Sequence, residues 1–174
     1  FYLVGNSSSG VFVARYHSDG SLDTSYDTDG IVLTTIASGE KGYSGALQID
    51  GRLIVAAGFE SPSLGSDVVV LRYNDDGSLD TSFGGGDGIT ITSLSAGSDA
   101  ARKVLLQNDG KIVITGSADT NGNVPPNTGT FAVVRYNSDG TLDTSFSGDG
   151  IATVDFLAPG GDASYAATLA ADGS

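Results

Sequence analysis

Nine aspartates recur in three sets along the chain: Asp19, Asp76 and Asp139; Asp23, Asp80 and Asp143; Asp29, Asp87 and Asp149. One member of each set falls in each of three similar loops, among glycines and hydroxyl residues. Three carboxylates in one loop are the hard oxygen donors that Ca²⁺ takes, so all nine are calcium candidates. The spacing is not that of an EF-hand, which ends on a bidentate Glu. The competing reading is local. Asp-Gly makes a tight turn, and Asp23-Thr24-Ser25 and its copies cap a helical turn by side-chain to backbone bonds. Turn chemistry is the leading reading, so no metal or cofactor is assigned and calcium stays as the alternative.

The same loops carry a second constellation. Arg15 precedes Asp23, Arg72 precedes Asp80 and Arg135 precedes Asp143, each by eight residues. A strand-end Arg and a later Asp suit a charge-assisted clamp that folds the loop back. An anion-binding ring of arginines is the functional alternative. Nucleophilic catalysis has little to work with. The single histidine, His17, has Asn74 and Asn137 at its equivalent positions, and a triad needs its His held by a third group. Glu40 and Glu60 do not recur. No catalytic residue is assigned and no enzyme is expected. Tyr16, Tyr73 and Tyr136 beside the arginines, and Tyr26, Phe83 and Phe146 at the loop ends, can stack on sugars or plug gaps in a core. Core plugging is the commoner use of aromatic area.

These residues belong to one stretch written three times. Arg15-Tyr16-His17-Ser18-Asp19-Gly20-Ser21-Leu22-Asp23-Thr24-Ser25-Tyr26 returns from Arg72 to Phe83 and from Arg135 to Phe146. Arg15 and Arg72 are 57 residues apart, and Arg72 and Arg135 are 63 apart. Self-similarity at such a period marks a repeat architecture. The two ends of the sequence share one phase: Ala171-Asp172-Gly173-Ser174 followed by Phe1-Tyr2-Leu3-Val4-Gly5 matches the stretch from Asn108 to Gly116. The expectation is an excerpt of a longer array, or a split repeat completed by its own other end or by a neighbour.

Each repeat reads as four strands. Type A covers 30–36, 88–94 and 150–156, with Ile and Thr alternating. Type B covers 43–49, 102–108 and 165–171. Type C covers 52–59, 111–117 and 1–5, and its near-continuous apolar run predicts cover on both faces. Type D covers 67–73, 130–136 and 10–16. Asp50-Gly51, Asp109-Gly110 and Asp172-Gly173 separate B from C and predict type I′ hairpins. The C–D connections at 6–9, 60–66 and 118–129 vary most and are the recognition candidates, since function rides on loops held by a scaffold.

The predicted fold is an all-β repeat protein of β-propeller-like, four-stranded antiparallel blades. A β-solenoid or an open spiral of blades is the alternative. The units run 15–71, 72–134, and 135–174 joined to 1–14. Closed propellers use about four to eight blades, so three need further repeats, a second chain, or an open spiral.

Composition bounds the partners. Of 174 residues, 21 are acidic and 8 basic, giving a net charge of −13. Such a chain repels nucleic acid and anionic membrane. There is no cysteine, hence no disulfide and no thiolate chemistry. No apolar run approaches a membrane span.

Gln107-Asn108-Asp109-Gly110-Lys111-Ile112-Val113, followed by Phe131-Ala132-Val133-Val134-Arg135-Tyr136-Asn137 and Asp139-Gly140-Thr141-Leu142-Asp143-Thr144-Ser145-Phe146, resembles the bacterial delta-60 repeat family. The resemblance covers essentially the whole chain. It implies propeller-type blades in large secreted or surface-attached proteins, and it implies no reaction. The expected function is an extracellular or cell-surface structural and adhesive scaffold. Its partners are further copies of itself or further repeats, joined by sharing strands at the split repeat. The alternative is a propeller module that binds a glycan, another surface ligand or calcium.

Overall fold

The computed structural model describes residues 1–36, 40–59, 65–119, 129–155, 164–171 and 173. The alternating and β-branched runs become strands, and no helix occurs among the described residues. The first sheet holds β1 (Tyr2–Ser7), β2 (Gly10–Arg15) and β3 (Ile31–Thr34) in chain order. The second holds β4 (Glu40–Leu47), β5 (Leu53–Phe59), β6 (Val68–Tyr73) and β7 (Ile89–Thr92). The third holds β8 (Ala100–Leu106), β9 (Ile112–Asp119), β10 (Gly129–Tyr136) and β11 (Ile151–Val154). Every pair of neighbours is antiparallel.

The sheets and the arginine-marked periods are not cut at the same places. Each complete sheet runs B, C, D and then A. The D–A loop folds A back beside D, while the A–B connection crosses to the next sheet.

The three sheets stack. Residues 53–58 of β5 and all of β6 are buried, as a double-sided apolar run requires. Their side chains divide with period two. Leu53, Val55, Ala57, Val69 and Leu71 face Val11, Val13 and Val32 of the first sheet. Ile54, Ala56, Val68 and Val70 face Ile112, Ile114 and Val134 of the third. The first and third sheets therefore cover opposite faces of the second.

Two expectations are corrected. Residues 165–171 form no strand; the type-C strand they would pair with is β1, which sits on the far side of the second sheet. They lie instead against the third sheet, where the Ser164 amide donates to the Gly116 carbonyl at 3.4 Å and the Gln107 side chain to that of Gly173 at 2.9 Å. The Arg102 guanidinium stands 4.9 Å from the Tyr43 ring and 6.0 Å from the Tyr165 ring. These three residues are repeat equivalents, so 165–171 lies along the next type-B position without strand partners.

The B–C hairpins are not type I′. Positive φ falls on Gly51 and Gly110 but on neither preceding Asp. The Gly51 amide donates to the Gln48 carbonyl at 3.1 Å and the Gln48 amide to that of Arg52 at 2.8 Å. That is the three-residue loop in which glycine alone takes the left-handed position.

Candidate functional site

The D–A loops carry every candidate residue, and each is built from its own sequence. β2 ends on Arg15, β6 on Arg72–Tyr73 and β10 on Arg135–Tyr136. The Gly20 amide then returns to the His17 carbonyl at 3.2 Å, with copies at Gly77 and Gly140. Bridges of Tyr16 to Leu22, Tyr73 to Leu79 and Tyr136 to Leu142 close this first turn.

Each of the nine aspartates turns one oxygen, Oδ1, onto its own turn. Asp19, Asp76 and Asp139 accept from the amide and hydroxyl two residues on, at 2.6–2.9 Å. Asp23, Asp80 and Asp143 do the same with Ser25, Ser82 and Ser145. Asp29, Asp87 and Asp149 accept the amides that open β3, β7 and β11 at 2.9–3.0 Å. Among the described residues, no three His, Cys, Asp or Glu side chains gather as a metal cage.

The arginines stand where a clamp needs them. Arg72 Nε lies 2.8 Å from Asp80, and Arg135 Nε 2.7 Å from Asp143. Arg15 Nε is 2.8 Å from Asp23, in an alignment too bent for a hydrogen bond. Each guanidinium also covers an aromatic ring, Tyr26, Phe83 or Phe146, with the centroid at 4.6–4.8 Å. Planar Arg suits this double use, because it pairs edge-on and stacks face-on. Tyr26 and Phe83 are fully buried and serve as plugs. His17 Nε2 lies 3.6 Å from Asp23.

A second cation joins two of the clamps. Arg52 reaches Asp80 at 3.1 Å, and Lys111 reaches Asp143 at 3.1 Å. Both follow the Asp-Gly of a B–C hairpin, so the recurring basic residue there was the signal in the sequence. The Ser145 hydroxyl first, then Lys111 and Arg135, hold the Asp143 carboxyl well below the usual range. Burial raises Asp80, but Ser82, Arg72 and Arg52 outweigh it, and that carboxyl is also lowered.

The loops do more than close on themselves: they join the sheets. Arg15 Nη1 donates to the Asp75 carbonyl at 2.7 Å and to its carboxylate at 2.8 Å, and Arg72 Nη1 donates to the Ser138 carbonyl. The Asp27 amide donates to the Asp76 carbonyl at 2.8 Å, and the Gly84 amide to that of Asp139 at 3.0 Å. Tyr73 donates its hydroxyl to Thr34, and Tyr136 to Thr92, both at 2.7 Å. Burial pushes the Tyr73 hydroxyl up to about 12 and raises that of Tyr136. Main-chain acceptors made these joints invisible to a reading of residue types.

Elsewhere, a cleft of about 270 Å³ is lined by Asp99 and Arg102 among others. Burial raises the Asp99 carboxyl, which accepts from the amides of Leu94 and Ser95 and the Ser95 hydroxyl at 2.6–3.0 Å. It closes the turn before β8. Of the recognition loops, 6–9 is a short tip; 60–64 and 120–128 lie outside the described residues, as do Glu60, Asp172 and Ser174.

Stacked antiparallel sheets of three and four strands, tied by a recurring Arg–Asp loop, define a β-propeller repeat protein. A family model described as "Domain of unknown function (DUF5122) beta-propeller" matches residues 1–26, 48–83 and 107–146. The chain belongs to that family. No curated protein matches it.

Proposed function

We propose that the chain is a structural and adhesive scaffold module of the delta-60 type, working outside the cell or at its surface and assembling by strand sharing. The observation that carries this reading is one of pairing. β5 and β9 each have strands on both sides, whereas among the described residues their equivalent β1 pairs with β2 alone. Residues 165–171 carry the type-B sequence and have no strand partner among the described residues. An open edge of unpaired amides and carbonyls is a template for another strand, and strand addition is a recurrent mode of recognition. The complementary strand comes from further repeats or from another copy. The acidic, cysteine-free composition fits an oxidising, salty exterior. The D–A loops, each engaged in its own turn, favour a scaffold over a reaction centre.

The test is the native mass by light scattering, beside Asn6→Pro. Phe1 and Tyr16 exchange both backbone bonds, so by alternation the amides of Tyr2, Val4 and Asn6 point to the open edge. Proline at the exposed position 6 removes one of these and leaves the β1–β2 ladder whole. The expected result is a mass above the 17.5 kDa of one chain that falls in the variant. A single-chain mass at every concentration would sink the reading.

A further inference from the structure

We propose that a second copy of this chain seats the rear of its first sheet on the open face of the third sheet, through the joint the chain already makes twice within itself. This rests on the reading that copies associate, but it uses loop surfaces and not the β1 edge.

The joint has two halves. The forward half is an arginine Nη1, the amide after the loop aromatic, and an apolar side chain under the facing glycine: Arg15, Asp27 and Val32, then Arg72, Gly84 and Phe83. The rear half is two successive carbonyls and a glycine on the next sheet: Asp75, Asp76 and Gly77, then Ser138, Asp139 and Gly140. The glycine is required by space. A Cβ on Gly77 would stand 2.9 Å from Val32, and one on Gly140 2.9 Å from the Phe83 ring.

Both halves occur once more, unused. Gly20 is exposed, with nothing within 4 Å of where its Cβ would be, whereas Gly77 and Gly140 are buried. Ser18 and Asp19 are exposed beside it. On the third sheet, Arg135 Nη1 has no acceptor among the described residues. Its side chain is 21% exposed, against 5% for Arg72. Phe146 is half-buried where Tyr26 and Phe83 are sealed. Ser147 keeps the positive φ of Asp27 and Gly84, at 53°, and its side is exposed. Ser164 and Gly173 hydrogen-bond to the inner part of the third sheet, at Gly116, Thr115 and Gln107, and among the described residues 164–171 and 173 none bonds to this loop. In the assembly Arg135 donates to the Ser18 carbonyl, the Ser147 amide donates to the Asp19 carbonyl, and Gly20 lies on Phe146. One bond is not repeated, because Val154 stands where Thr34 and Thr92 accept from tyrosine.

The contact is head to tail, so it makes a ring if the rotation closes.

The experiment compares wild type with Gly20→Asn by sedimentation from low to high micromolar concentration. Asn tolerates positive φ, so the single chain keeps its fold, while its Cβ obstructs the joint. Wild type is expected to reach a discrete species of twice the 17.5 kDa chain mass, with Gly20→Asn weakening association more than tenfold at an unchanged melting temperature. As a second measurement, Asp19→Cys with Ser147→Cys, in a chain that has no cysteine of its own, should trap intermolecular disulfides on oxidation. A monomeric wild type overturns both this joint and strand sharing. Association insensitive to Gly20→Asn but lost in Asn6→Pro overturns the joint and leaves strand sharing standing. The reverse pattern supports the joint and removes strand sharing.

Discussion

The loop from Asn74 to Gly88 and the loop from Asn137 to Gly150 have nearly the same sequence and different surroundings. Both make the same internal bonds: Arg to Asp at 2.7–2.8 Å, Asp to the Ser two residues on, and Arg over an aromatic ring. Only the first has a sheet in front of it. Arg72 is therefore sealed and reaches a carbonyl of the next sheet, while Arg135 stays a fifth exposed. The loop's shape is written locally; its burial, and with it the energy of its ion pair, comes from the neighbour. An exposed ion pair contributes little, whereas breaking a buried one leaves an uncompensated charge.

That contrast can be broken in four ways. Acid has the largest expected effect, because it acts on all the loops together. Hydroxyl and amide donors hold Asp19, Asp23, Asp76, Asp139 and Asp143 below their ordinary values, and Asp80 is lowered as well. A carboxyl with a lowered folded pKa contributes stability that is complete above its unfolded value and is lost as pH falls through the folded one. Urea midpoints should hold level from pH 7 to about 5 and drop below about 4. Asp99, raised by burial, works the other way and softens the drop. Level midpoints down to about pH 2 would remove the ionised carboxyls from the account.

Arg72→Ala comes next. It strands Asp80 in a nearly buried site and should cost on the order of 3 kcal/mol, near the low end for a buried pair because Arg52 remains. Arg135→Ala should cost clearly less. Equal losses in denaturant titrations would mean that the neighbouring sheet adds nothing to the clamp. Tyr136→Phe removes one buried bond to Thr92 and should cost about 1 kcal/mol; Tyr16→Phe, at the open end, should change nothing measurable. The smallest expected effect is that of a chelator. With Oδ1 of each of the nine recurring aspartates turned on its own backbone, EDTA should leave the melting temperature in place, and a fall would show that the carboxylates reach a cation after all.

The sequence carried the strands and loops well because its signals are local. Ile-Thr alternation at 89–92 gave β7 and, through the repeat, β3 and β11, and the apolar runs at Leu53 and Ile112 gave β5 and β9. The arginine–aspartate spacing was readable for the same reason. What escaped it was relational. The start of a period marked by Arg15 says nothing of where a sheet ends, since that depends on whether a strand turns back or crosses over. The type I′ turn failed because Asp-Gly also serves a longer loop, and only φ at Asp50 and Asp109 tells them apart. Residues 165–171 have a strand's composition, yet a strand exists only where a partner's backbone is present.

The joints accept from main-chain carbonyls, and so they barely depend on which side chain is displayed at the contact. The positions used are Asp75 in one joint and Ser138 in the other, and either serves. The loop joints thereby place few demands on the sequence of the unit that follows. A gene built this way can gain or lose a whole unit by duplication or deletion with little rematching at the loops of the new boundary. Sequence drift within one unit does not strand its neighbours, provided the arginine, the aspartate and the glycine are kept.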